Sequence, residues 1–103
     1  MIDVKMPEEC ETMTEVRAGV DAVDRALMEL IDRRFAYMRA AARIKPDRGL
    51  VRDEARKAAV IAAARADAAA LGLPADSLAA IWERLVETSI AYELIEWDRL
   101  RAR

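Results

Sequence analysis

Two basic residues stand where the sequence predicts the apolar face of a helix. From Val16 onward, apolar side chains recur every three or four positions, which indicates a helix packed along partner helices. Arg34 and Lys45 continue this face, because a spacing of 11 residues is close to three turns of about 3.6 residues. A buried cation costs several kcal/mol unless it is paired, so the pattern predicts carboxylate partners or an anionic ligand. The alternative is that both stems lie along the edge of the face with their charges in water.

The last third of the chain has the opposite irregularity, polar groups in an otherwise apolar line. Helical steps from Trp82 to Leu100 collect large apolar side chains, but Ser89 and Glu93 interrupt them one turn apart. Both side chains can therefore face one cavity. Glu93 is either a buried partner for Arg34 or Lys45, or a group that faces a ligand.

Two further sets of charged residues could be ordinary surface charges or parts of an anion-binding site. Asp53 and Arg56 are spaced for an ion pair on one helix face, which would be an ordinary surface pair. Small alanines follow Arg56 on that face and leave space beside its cation. Arg17 points to a different side of the first helix from Arg34, so it could join such a site only from a neighbouring chain.

The elements that carry these residues are predicted to be three helices, long, medium and long, in one all-α domain over residues 1–103. Thr12 and Glu15 have the spacing of a capping box, and no helix breaker follows before Pro46. A second helix is expected from about Val51 to Leu71, with Gly72 just past its end. A third helix is expected to have Pro74 in its first turn and to run through Leu100.

The length of the first helix predicts self-association. Residues 12–44 would extend roughly 50 Å at about 1.5 Å per residue, whereas a compact chain of this size has a radius of gyration near 13 Å. The remaining residues are too few to cover such a rod. We therefore expect an intertwined homodimer.

Composition excludes several classes of function. The chain has 103 residues, a net charge of −2, one cysteine and no histidine. The usual zinc clusters and histidine-dependent nucleophiles cannot be built from this set. We expect neither metal nor cofactor. The acidic balance argues against nucleic acid, and no apolar stretch predicts secretion or a membrane span. We expect a cytoplasmic protein.

The sequence resembles the all-helical chorismate mutase family and its close relative, isochorismate pyruvate-lyase. The resemblance covers nearly the whole chain. It rests on VRAGVDAVDRALMELIDRRFAYMRAAARIK at 16–45, VRDEAR at 51–56 and SIAYELIEW at 89–97. The spacing of Arg17, Arg34, Lys45 and Arg56 is its most specific feature.

The resemblance implies an intertwined homodimer with two sites, each completed by one arginine of the other chain. On this basis Arg17 crosses the dimer and lies with Arg56 at one substrate carboxylate, while Arg34 binds the other. Lys45 would donate a hydrogen bond to the ether oxygen of the enolpyruvyl group, so that Lys45, Glu93 and Arg34 form the catalytic set. Asp53 and Ser89 would contact the ring or hydroxyl region.

Two residues depart from the mutase pattern. Glu93 stands where mutases have a glutamine that donates to the ether oxygen, and a carboxylate donates only when protonated. This predicts an acid-shifted activity optimum. Lys57 replaces an acidic residue that binds the substrate hydroxyl in many mutases. Chorismate to prephenate is the first predicted reaction, isochorismate to salicylate plus pyruvate the second, and a helical dimerisation module the non-enzymatic alternative.

Overall fold

A computed structural model describes residues 4–102, and within them the chain is all-helical with no strand. Three α-helices follow one another: α1 is Met13–Ile44, α2 is Glu54–Ala70 and α3 is Ala75–Arg101. This confirms the predicted all-α fold with long, medium and long helices. The chain divides into two compact units, one ending at Ala36 and one beginning at Tyr37. In the part of the chain described, no helix is both long and apolar enough to span a membrane.

The first unit confirms the predicted start of α1. The Thr12 hydroxyl accepts a hydrogen bond from the Glu15 main-chain N–H at 3.2 Å, and the Glu15 carboxylate accepts one from the Thr12 N–H at 3.1 Å. These reciprocal bonds are the predicted capping box. Lys5 also pairs with Glu15. The hydrogen bond from Lys5, together with those from the start of the helix, lowers the pKa of Glu15 to about 2.

The apolar row of α1 in the first unit is exposed in the single chain. Val20, Val23, Leu27 and Leu30 are each 50–58% exposed. An apolar row of this length is typical of a surface that binds another protein chain. That partner helices cover this row stays a prediction.

The start of α2 differs from the prediction, which put it near Val51. A short 3-10 turn, Arg48–Leu50, comes first, and α2 begins only at Glu54. The Asp53 carboxylate accepts a hydrogen bond from the Arg56 main-chain N–H at 3.0 Å and so caps the helix. Val51 instead turns inward, at 4% exposure, as part of the core.

The turn between α2 and α3 agrees with the sequence prediction at its glycine. Gly72 has a φ of +71°, which side chains other than glycine rarely adopt, just past the end of α2. Pro74 immediately precedes α3 rather than lying within its first turn. The core of the second unit then forms where Val51, Val86 and Ile90 meet, with Leu94 and Trp97 packed against them. This packing fixes α3 against α2 and the segment that follows α1.

Candidate active site

The residues singled out in the sequence fall into both units. Arg17 and Arg34 belong to the first unit, where Arg17 is exposed and Arg34 is half-buried and engaged with other groups. The second unit contains the other five, which are Lys45, Asp53, Arg56, Ser89 and Glu93. The second unit therefore contains most of the candidate site residues.

Lys45 and Glu93 form the centre of the candidate site. The Lys45 Nζ donates to the Glu93 Oε2 at 2.8 Å, although the two residues are 48 positions apart in sequence. Lys45 is therefore a partner of Glu93, as one of the two sequence interpretations proposed. The Glu93 side chain is only 5% exposed, whereas that of Lys45 is 29% exposed. Because an ammonium has three N–H donors, Lys45 retains donors for a ligand while it holds Glu93.

The main chain of Lys45 is also bound, by two residues of α3. Its carbonyl accepts hydrogen bonds from the Trp97 Nε1 at 3.0 Å and from the Arg101 Nη2 at 2.8 Å. The Arg101 Nη1 also donates to the Ala42 carbonyl at 3.1 Å. Free carbonyls at the end of a helix need such donors, and a cation there is favoured by the helix dipole.

Sequence analysis missed Arg101 at this site. Its only sequence signal is its spacing, because it follows Glu93 and Trp97 by eight and four residues on α3. That spacing places all three on one side of the helix. A basic residue in the last turn of a helix is common, so the signal would not by itself have singled out Arg101.

Ser89 lies one turn before Glu93 and is buried, with 3% exposure. Its hydroxyl donates to the Leu85 carbonyl at 2.7 Å, an interaction within α3. In this conformation the hydroxyl proton is used within the helix. Asp53 and Arg56 lie at the start of α2, and both are exposed.

A network of charges joins α2 to α3 around Lys57. The Lys57 Nζ lies 2.8 Å from carboxylate oxygens of both Glu83 and Glu87. Arg52 makes two hydrogen bonds to Glu87, at 2.9 and 3.0 Å. Hydrogen bonds from Arg52 and then Lys57 lower the pKa of Glu87 to about 2, while those from Glu83 and Glu87 raise the pKa of Lys57. Lys57 is thus committed to two carboxylates.

The first unit contains an apolar cleft of about 750 Å³ between residues 4–10 and the first turns of α1. Cys10 lies in it and contacts the Met6 carbonyl through its Sγ at 3.6 Å. The lining includes Val16, Val20 and Val23, part of the exposed apolar row. Among the residues that the structure describes, no cluster of three or more Cys, Asp or Glu side chains is placed to hold a metal ion.

Comparison with known proteins defines the class. Residues 16–94 match the model of the chorismate mutase type II family. The chain therefore belongs to this family, whose members are enzymes, and the predicted resemblance is confirmed.

Two relatives differ in how much of their length the chain spans. The chain is 26% identical to the isochorismate pyruvate lyase of Pseudomonas aeruginosa over 98 residues, 95% of this chain and 97% of the lyase. It is 30% identical to the T-protein of Enterobacter agglomerans over 82 residues, 79% of this chain but only 22% of the T-protein. The likeness to the lyase thus extends over both chains, and the likeness to the T-protein covers one part of a longer protein.

Proposed function

We propose that this chain catalyses the rearrangement of chorismate to prephenate without a cofactor. The observation that carries the proposal is the pair between Lys45 and Glu93, a partly exposed ammonium held at 2.8 Å by a buried carboxylate. The pair joins the end of α1 to the middle of α3 in a chain that belongs to the chorismate mutase type II family. Both residues interrupt faces that are otherwise apolar.

The chemistry suits a site without histidine or metal. A pericyclic rearrangement needs no nucleophile or proton relay, only a substrate held in the reactive conformer and charge at the bond that breaks. Lys45 would donate to the ether oxygen as the C–O bond becomes polar. As a carboxylate, Glu93 would hold the Lys45 ammonium in place, and only in its protonated form would it supply a second donor.

The substrate carries two carboxylates, and three arginines are proposed to bind them. Arg56 is exposed in the first turn of α2, where the positive end of the helix dipole also favours an anion. Arg34 would bind the second carboxylate, and Arg17 would reach the site of the partner chain. Guanidinium groups suit this role because they bind planar carboxylates through two parallel hydrogen bonds.

We also propose that two copies of the chain intertwine. The support is the exposed row of Val20, Val23, Leu27 and Leu30, which a single chain leaves in contact with water. Burial of apolar surface contributes about 25 cal/mol per Å², so covering such a row would stabilise a dimer substantially. A second copy also accounts for Arg17, which stands far along α1 from the other site residues.

Isochorismate to salicylate plus pyruvate is the second candidate reaction. Two observations favour it. Lys57, which replaces an acidic residue of many mutases, is held by Glu83 and Glu87. The likeness to an isochorismate pyruvate lyase also spans 97% of that relative.

Supplying chorismate and isochorismate in separate assays distinguishes these proposals. We expect chorismate to be converted to prephenate, measured as the loss of the ultraviolet absorbance of chorismate. Formation of salicylate from isochorismate, measured by the fluorescence of salicylate, would indicate the second candidate. Heat-treated protein provides the control for the uncatalysed reactions. If folded protein accelerates neither reaction, the enzyme proposal is wrong and a helical dimerisation module becomes the better explanation.

A further inference from the structure

Three residues of α3 hold Lys45 at both of its ends. Glu93 binds the ammonium, whereas Trp97 and Arg101, one and two turns later, bind the main-chain carbonyl. The Arg101 guanidinium also lies 4.1 Å from the centre of the Trp97 ring, a distance suited to a cation–π interaction. The indole and the guanidinium therefore support each other while they bind the same oxygen.

The Lys45 carbonyl that accepts these bonds lies at the end of α1. α1 ends at Ile44, and Pro46 follows Lys45, so Lys45 is the point at which the chain leaves the helix. The last carbonyls of a helix lack main-chain partners, and the end of a helix frays when they are unsatisfied. Arg101 satisfies two of them by bridging Ala42 and Lys45. The end of α1 is thus fastened directly to α3.

We propose that Trp97 and Arg101 are positioning residues that fix the Lys45 ammonium for catalysis. This inference rests on the proposed function only for its effect on turnover. A lysine side chain has a flexible four-carbon stem, so a fixed ammonium requires a fixed main chain as well as a partner at the charge. Glu93 provides the partner, and Trp97 and Arg101 provide the fixed main chain.

Arg101→Ala and Trp97→Phe test the positioning role. Misplacement of a catalytic group by about 1 Å can cost on the order of 100-fold in rate, so we expect Arg101→Ala to lower kcat by about 10- to 100-fold with a smaller change in KM. Trp97→Phe removes the N–H donor but keeps an aromatic ring in the core. We expect a smaller loss from it, because Arg101 still binds the carbonyl.

Arg99→Ala is the matched control. Arg99 is a cation in the same last turn of α3, but its guanidinium binds Glu96 instead of the end of α1. It should retain kcat within about threefold, because the catalytic lysine stays in place. Equal losses in Arg99→Ala and Arg101→Ala would overturn the proposal, since a general effect of charge would then explain both.

Nuclear magnetic resonance of labelled lysine gives a readout that does not depend on turnover. The chain contains only three lysines, Lys5, Lys45 and Lys57, so each side-chain signal can be assigned by substitution. Arg101→Ala should shift and sharpen the Lys45 signal through greater mobility and leave the other two unchanged. If the Lys45 signal stays in place, the positioning role is wrong. If the wild-type protein converts neither substrate but the Lys45 signal shifts in Arg101→Ala as expected, the proposed function is wrong. The inference that Arg101 fixes the position of Lys45 then still holds.

Discussion

Lys45→Met is expected to lower kcat/KM by on the order of 100- to 1,000-fold, the effect of removing one donor from a developing negative charge. The methionine has a similar length and keeps the apolar stem but removes the ammonium that lies 2.8 Å from Glu93. Steady-state kinetics with whichever of chorismate or isochorismate the wild type converts measures the loss. Circular dichroism of the same samples reports whether the helices remain.

The removal of Lys45 takes a charged partner from the buried Glu93, and breaking a buried ion pair in this way costs about 3–5 kcal/mol of stability. The double variant Lys45→Met/Glu93→Gln removes both charges and so separates folding from catalysis. It should regain thermal stability and remain inactive. Lys5→Met is the matched control, since it applies the same substitution to a lysine that also pairs with a carboxylate, that of Glu15, outside the proposed site. A loss of turnover in Lys5→Met equal to that in Lys45→Met would contradict a catalytic role for Lys45.

Glu93→Gln is expected to abolish the pH dependence of turnover. If the protonated carboxyl donates to the ether oxygen, wild-type kcat/KM should fall about tenfold per pH unit on the alkaline side of its optimum. Glutamine donates at every pH, so the variant should be nearly flat and should exceed the wild type at about pH 8. Kinetic profiles of both proteins from about pH 5 to 8 give the comparison.

Glu87→Gln is the control for this profile. Glu87 lies on the same helix, but Arg52 and Lys57 hold its pKa at about 2, so it stays ionised throughout the measured range. Its replacement should change stability while the shape of the activity profile stays that of the wild type. A flat wild-type profile that Glu93→Gln leaves unchanged would remove the proposed role of Glu93.

Local sequence signals predicted the elements that depend on local interactions. Thr12 and Glu15 fix the start of α1 by bonds within three residues, and Gly72 ends α2 through a conformation that glycine adopts readily. The start of α2 was predicted three residues too early. The prediction began α2 at Val51, but Val51 packs in the core before the helix begins. Asp53 is the residue that caps the helix.

The contacts of the candidate site depend on tertiary structure and were predicted only in part. Periodicity identified Lys45 and Glu93 as polar residues on apolar faces, but it could not show that they form a pair. That pair depends on how α3 passes the end of α1. The same information is needed for Arg101, because its spacing on α3 does not show that it donates to the carbonyls of Ala42 and Lys45.

The most direct test of a site shared between two chains is the activity of a mixed dimer. Arg17→Ala and Lys45→Met chains, coexpressed with different tags and purified through both, combine an intact Arg17 with an intact Lys45 in one of two sites. Each parent should be nearly inactive, and the mixed dimer should recover about half of the wild-type activity, because symmetry gives the dimer two equivalent sites. A mixed dimer as inactive as its parents, or tags that never copurify, would contradict the shared site.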